Sequence, residues 1–151
     1  MKMILIASTC ILNLLLFGCT IRYTANPVSI QKADRKDICI IEDEADGRFL
    51  VSYKKALEEK GFSVKILSYE SDVAGCPLSS MYKSVWSWDF VTYMSNAQIF
   101  VFRNGVLAGN ALYEAPCCGT SLTFRIYEKT EHKIAKMVDQ LFPDTEKLDK
   151  K

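Results

Sequence analysis

The sequence predicts a two-layer α/β sandwich, a mixed sheet of about five strands carrying two main helices in the order β-α-β-β-β-α. Three observations predict it. An apolar run, Ile38 to Ile41, is followed by an amphipathic helical stretch and then a second strand-like stretch, which together read as a parallel βαβ unit with a right-handed crossover. Asn104-Gly105 stands between two strand-like stretches and marks a two-residue hairpin. A helical face then closes the chain. A helix layer on one mixed sheet accommodates all three.

The first strand is continuously apolar, which places it centrally in the sheet. The acidic turn Glu42-Asp43-Glu44-Ala45-Asp46-Gly47 leads into a helix, where Asp46 or a neighbour can cap the free N–H groups. Phe49, Leu50, Tyr53, Ala56 and Leu57 share one helical face. Gly61 ends the helix in the left-handed region and Phe62 packs back on it. Val64 and Ile66 mark the second strand. Residues 69–80 form a loop around Gly75-Cys76-Pro77.

Tyr82, Trp86, Trp88 and Phe90 recur at even spacing, the strand period. Asn96 to Arg103 and Val106 to Tyr113 form the hairpin across Asn104-Gly105. That turn sets Phe100 against Gly109 and Phe102 against Leu107, and Gly109 with Ala111 leaves room for a large neighbour. Leu122, Phe124 and Ile126 alternate as in a short strand, though 122–127 could equally begin a helix. Ile134, Ala135, Val138, Leu141 and Phe142 form the face of the closing helix, which Pro143 ends.

The N-terminus has a different character. Lys2 is followed by a mostly apolar run from Met3 to Phe17, about 15 residues against the roughly 20 that a spanning helix needs. A basic start and a short apolar stretch closed by small residues are the pattern of a secretory signal. Leu16-Phe17-Gly18-Cys19 resembles the lipobox of bacterial lipoproteins, with Phe17 in place of the usual small residue; Cys10 is a poor alternative, because it would halve the apolar run. The resemblance implies cleavage before Cys19 and acylation of its thiol and new amine. Two or more chains hold a protein stably on a membrane, whereas one does so marginally. Thr20, where inner-membrane lipoproteins carry Asp, implies an outer-membrane anchor facing the periplasm. The expected organisation is a signal peptide at 1–18, a lipidated tether at 19–36, one domain at 37–143 and a charged tail at 144–151.

Removing residues 1–18 from the 151 leaves 133, which suits one domain. Only Lys2 is lost among the charges, so Lys+Arg falls from 19 to 18 against 18 Asp+Glu. The neutral balance argues against nucleic acid as a partner. The partners implied are the membrane, through the N-terminal lipid, and an envelope protein.

Four cysteines remain beside Cys19: Cys39, Cys76, Cys117 and Cys118. An exported chain meets an oxidising compartment, and four cysteines allow three pairings. Cys39, inside its apolar run, reads as a buried core residue at least as readily as a bridge. The preferred pairing joins Cys76 to Cys117 or Cys118.

The chain also resembles the uncharacterised "Sbal" family of small Gram-negative lipoproteins. The matching stretches are Phe17-Gly18-Cys19-Thr20, Ile38 to Glu42, Ala56 to Phe62, Ser87-Trp88-Asp89 with Tyr93-Met94 and Ala97, Lys133-Ile134, and Leu141-Phe142-Pro143. Trp-Asp-x-x-x-Tyr is the most specific of them. The element order is similar to TolB N-terminal and LptE-like domains at the level of fold. These resemblances imply a lipoprotein and supply no molecular activity.

Catalytic patterns are sparse. His132, the one histidine, lies at a helix start and reads as a solvated residue. No Gly-x-Ser-x-Gly elbow, Gly-rich phosphate loop or Cys-x-x-Cys pair occurs. Glu42, Glu44, Asp46 and Gly47 imitate half a calcium loop, but the first position is Glu and the twelfth is Tyr53, so the ligand set fails. Asp89 reads as a structural acceptor, without a second carboxylate for glycosidase-type chemistry. Tyr82, Trp86 and Trp88 either form the core or, if exposed, offer a stacking surface for a ligand; burial is the preferred reading. The expectation is a non-enzymatic binding or assembly domain without cofactor or metal. The alternative is a hydrolase of small ligands or envelope polymers, with a site assembled from distant residues.

Overall fold

In the computed structural model, which describes residues 21–30, 36–42, 46–68, 73, 75–115 and 128–143, the β-branched run Asp37–Ile41 forms an inner strand with Ile38 and Ile40 wholly buried. Around it stand β1 (Arg22–Asn26), β2 (Asp37–Ile41 itself), α1 (Gly47–Glu59), β3 (Ser63–Leu67), β4 (Leu78–Asp89), β5 (Val91–Arg103), β6 (Val106–Glu114) and α2 (Thr130–Leu141). The sheet order is β1-β6-β5-β4-β2-β3. β2 is parallel to β3 and β4, while the other pairs are antiparallel. The α/β class, the mixed sheet and the βαβ unit follow the sequence, but the described sheet has six strands rather than five.

The sixth strand is β1. It lies within the stretch expected to be a tether and pairs along its whole length with β6. Arg-Tyr-Thr-Ala-Asn gave no strand signal because an edge strand buries little. Only Tyr23 and Ala25 turn toward the helices, and both are partly buried.

Both helices pack on one face of the sheet. α1 turns Phe49, Leu50, Tyr53, Ala56 and Leu57 inward, the face its periodicity predicts. Its C-terminus closes with Gly61 at φ 81°, the Gly61 N–H on Glu58 O and the Phe62 N–H on Leu57 O, a Schellman arrangement. Phe62 then packs on Phe142 beyond α2, with ring centroids 4.7 Å apart. α2 buries Ile134, Met137, Val138 and Leu141, and Lys133 with them. Between the layers, Phe49 stacks on Tyr82 at 4.8 Å. The Tyr53 hydroxyl donates to Ser80 Oγ at 2.7 Å, and Ser80 donates onward to Phe100 O.

The Asn104-Gly105 turn has positive φ at both residues and sets Phe102 opposite Leu107 as expected. The expected pairing of Phe100 with Gly109 is displaced: a bulge at Ala108 sets Phe100 against Asn110 and Val101 against Gly109. One extra residue in β6 absorbs the offset, as bulges do. The room expected at Gly109 is filled by Val28, where the chain leaves β1 and crosses to α2 through the bond from Val28 N–H to Leu141 O, 2.8 Å. A Cβ on Gly109 would stand 2.7 Å from both Asn26 O and Val28 Cγ2, closer than such atoms approach. Gly109→Ala is therefore expected to destabilise by about 1–3 kcal/mol, typical of overpacking. Urea unfolding measures it, and an unchanged midpoint would contradict the close approach.

Candidate functional site

β4 and β5 run well past their neighbours. β2 pairs only with Leu78 to Ser80 of β4, and β6 reaches only as far as Asn96 of β5. Beyond those rungs the two strands continue as a ribbon, with a bulge at Ser95 between the Val85–Asn96 and Trp86–Met94 pairs. There Ser95 Oγ accepts from Ser87 Oγ at 2.8 Å and donates to Val85 O at 3.1 Å, so side chains partner groups at the irregularity.

The even-spaced aromatics divide along this ribbon. Tyr82 is core, contrary to its candidacy as a ligand surface, because it lies where α1 covers the sheet. Trp86 is partly buried at the N-terminus of α1. Its indole Nε1–H donates to Asp46 Oδ2 at 3.2 Å, and the Arg48 guanidinium lies 4.0 Å from the ring centroid, a stacked cation–π contact. Asp46 also caps α1, its Oδ1 accepting from Phe49 N–H at 3.2 Å. The acidic cluster thus places one carboxylate between a helix start and a tryptophan. Trp88, one rung further, is 72% exposed, and Phe90 at the tip is 89% exposed. The even spacing of Tyr82, Trp86, Trp88 and Phe90 predicts burial of the stripe as part of the core. That prediction fails at Trp88 and Phe90 because the ribbon outruns both helices. Asp89 ends β4.

The cysteine expectation is corrected. Cys76 is bonded to Cys39, with Cα atoms 5.9 Å apart, and not to Cys117 or Cys118. Parallel pairing of Cys39 with Ser79 brings the loop before β4 alongside β2, which spacing along the chain does not reveal. Cys19, Cys117, Cys118 and the 122–127 stretch lie outside the described residues.

His132 is exposed, with Nδ1 3.9 Å from Glu128 Oε1. A groove of about 790 Å³ joins it to Glu59, Glu131 and Ser52, but the Ser52 hydroxyl donates to its own helix at Arg48 O and is not poised as a nucleophile. A second groove, about 700 Å³, runs beside β1 with Tyr23, Ala25, Val28 and Ile30 in its walls. Lys133 carries no sequence signal of its burial. It sits within an apolar helical face, is only 1% exposed, and its Nζ donates to Met94 O at 3.3 Å and lies 5.0 Å from the Tyr113 ring centroid. Burial lowers its pKa to about 8, with Glu128 acting in the opposite direction.

The class these features define is a two-layer α/β domain with an overhanging aromatic hairpin. No family model matches the chain, and no curated protein matches it. Among solved structures it is similar to PelC from Paraburkholderia phytofirmans, crystallised as a dodecamer. The TM-score is 0.56 at 12% identity, covering 81% of this chain and 98% of that one. A single-substitution variant of that dodecamer matches with TM-score 0.55 at 11% identity, covering 81% of this chain and 99% of that one. At such identity the likeness is one of fold.

Proposed function

We propose that the chain is a lipoprotein held by acylated Cys19 at the periplasmic side of the outer membrane, and that its domain serves without catalysis as an assembly subunit, associating with copies of itself. The observation that supports this best is the fold likeness, which takes in nearly all of a PelC chain whose crystals hold a dodecamer. The sheet offers a surface for such association. On the face turned away from both helices, Met81 lies opposite Phe100 and Phe102 opposite Leu107, with Leu112 diagonal to Phe100, and Val85 and Leu107 on that face are more than half exposed. Gln98 and Asn110 interleave with them, the mixed apolar and polar composition of a protein interface.

The protein extracted from membranes in mild detergent is expected to run in light scattering as a multiple of the chain mass. Val85→Lys with Leu107→Lys, at positions exposed enough to spare the fold, is expected to reduce that mass. A single-chain mass for the unsubstituted protein at micromolar concentration would overturn the self-association reading. Intact mass spectrometry tests the anchor separately, with loss of residues 1–18 and added acyl mass as the expected result.

A further inference from the structure

Phe90 and Trp88 are the two most exposed large hydrophobic side chains among the described residues, and Val91 beside them is also exposed. The Trp88 and Phe90 rings stand 6.0 Å apart and form one apolar tip. Phe90 also has φ 58°, a region that Gly or Asn occupies readily and a bulky residue rarely does. A water-facing hairpin turn has no need of an aromatic, least of all at a strained position. Two unfavourable choices coincide at one tip.

The register says where the tip points. Arg22 pairs with Glu114, Glu114 with Asn96, and Asn96 with Val85, so β1 begins at the end of the sheet over which the ribbon extends. Cys19 precedes Arg22 by three residues, at most roughly 11 Å of chain. Trp88 follows Val85 by three residues, about 10 Å of strand. Chain length thus allows lipid on Cys19 to stand within roughly 11 Å of the end of the sheet beyond which the aromatic tip extends.

We propose that Trp88, Phe90 and Val91 form a foot that enters the headgroup region of the bilayer carrying the Cys19 lipid, and so fixes the orientation of the tethered domain. Tryptophan is suited to this boundary because its ring is apolar and its N–H can remain hydrated. A foot on a tethered domain needs little intrinsic affinity, since the anchor holds it at high effective concentration. The proposal rests on the anchoring at Cys19 but is measured apart from it.

The test uses the membrane-purified chain in vesicles of phosphatidylethanolamine and phosphatidylglycerol, with or without brominated acyl chains. Trp86→Phe leaves Trp88 as sole tryptophan, and Trp88→Phe leaves Trp86. Bromine is expected to quench Trp88 emission at least twofold and to leave Trp86 nearly unchanged. Phe90→Asn is expected to weaken the Trp88 quenching while keeping or raising the thermal midpoint, which excludes misfolding as the cause. Trp88 emission that ignores bromine in an acylated protein would overturn the foot and spare the anchor; a blue shift without quenching would assign the tip to a protein partner and overturn it equally. Quenching of Trp88 in protein whose mass shows no acyl group would uphold the foot and refute the anchor.

Discussion

Removing the Cys39–Cys76 bridge is expected to lower the free energy of unfolding by about 3–4 kcal/mol, the loss of chain entropy restraint for a loop of this length. The two cysteines are 37 residues apart, and the intervening chain carries α1 and β3. The bond stands where local interactions help least. β2 and β4 are parallel and share three register pairs, Ile38–Leu78, Cys39–Ser79 and Ile40–Ser80, so their docking fixes a long excursion through a short ladder. The bridge confines that excursion in the unfolded chain. The Cys39→Ala, Cys76→Ala double variant avoids leaving a lone thiol. Its urea midpoint should fall to that of the reduced parent and should not respond to reductant. A parent midpoint indifferent to reductant would refute the assignment of stability to this bond.

The parts of the fold legible in the sequence are those whose signal is local. The inward face of α1 follows from the spacing of Phe49, Tyr53 and Leu57, and its end from Gly61, because one helix face and one left-handed residue decide them. Asn104-Gly105 fixed a turn for the same reason. What escaped depends on the partner across space. β1 is a strand because β6 presents an open edge to it. The bulge at Ala108 is invisible because both registers leave plausible side chains opposite one another. Cys39 reads as any small core residue along the chain, because its partner comes from the loop that parallel pairing with β4 sets beside it. At the candidate site, even spacing identified the aromatic ribbon but could not say where the helix layer stops, and that boundary separates Tyr82 from Trp88.

Between pH 8 and about 10 the protein is expected to become more stable as pH rises, and Lys133 is the cause. Burial of its ammonium lowers the pKa to about 8 from the usual 10.5 of a lysine. In that window the unfolded chain binds the proton more tightly than the folded one, so stability increases with pH. Below pH 8 both states hold the proton and the full penalty of burying the charge remains. At about 1.4 kcal/mol per unit it amounts to roughly 3 kcal/mol. The gain ends above pH 10, where tyrosines titrate with the opposite sign. Burial, with Glu128 adding to it, raises the Tyr23 pKa to about 12. Burial also raises Tyr53 and Tyr113, so their ionisation in the unfolded chain favours unfolding. Lys133→Met keeps the length of the side chain and removes the charge. It is expected to abolish the rise between pH 8 and 10 and to raise stability at pH 7, since apolar replacements of buried charges are often neutral or stabilising. Thermal unfolding across pH reads both effects, and a slope that survives in Lys133→Met would assign it to another group. The charge has a structural use: Nζ donates to Met94 O, and Met94 lies opposite Trp86 where the hairpin leaves the sheet. The same variant should therefore broaden the distance distribution between spin labels placed on the hairpin and on α2, even as it stabilises the domain, because the contact joins the ribbon to the helix layer.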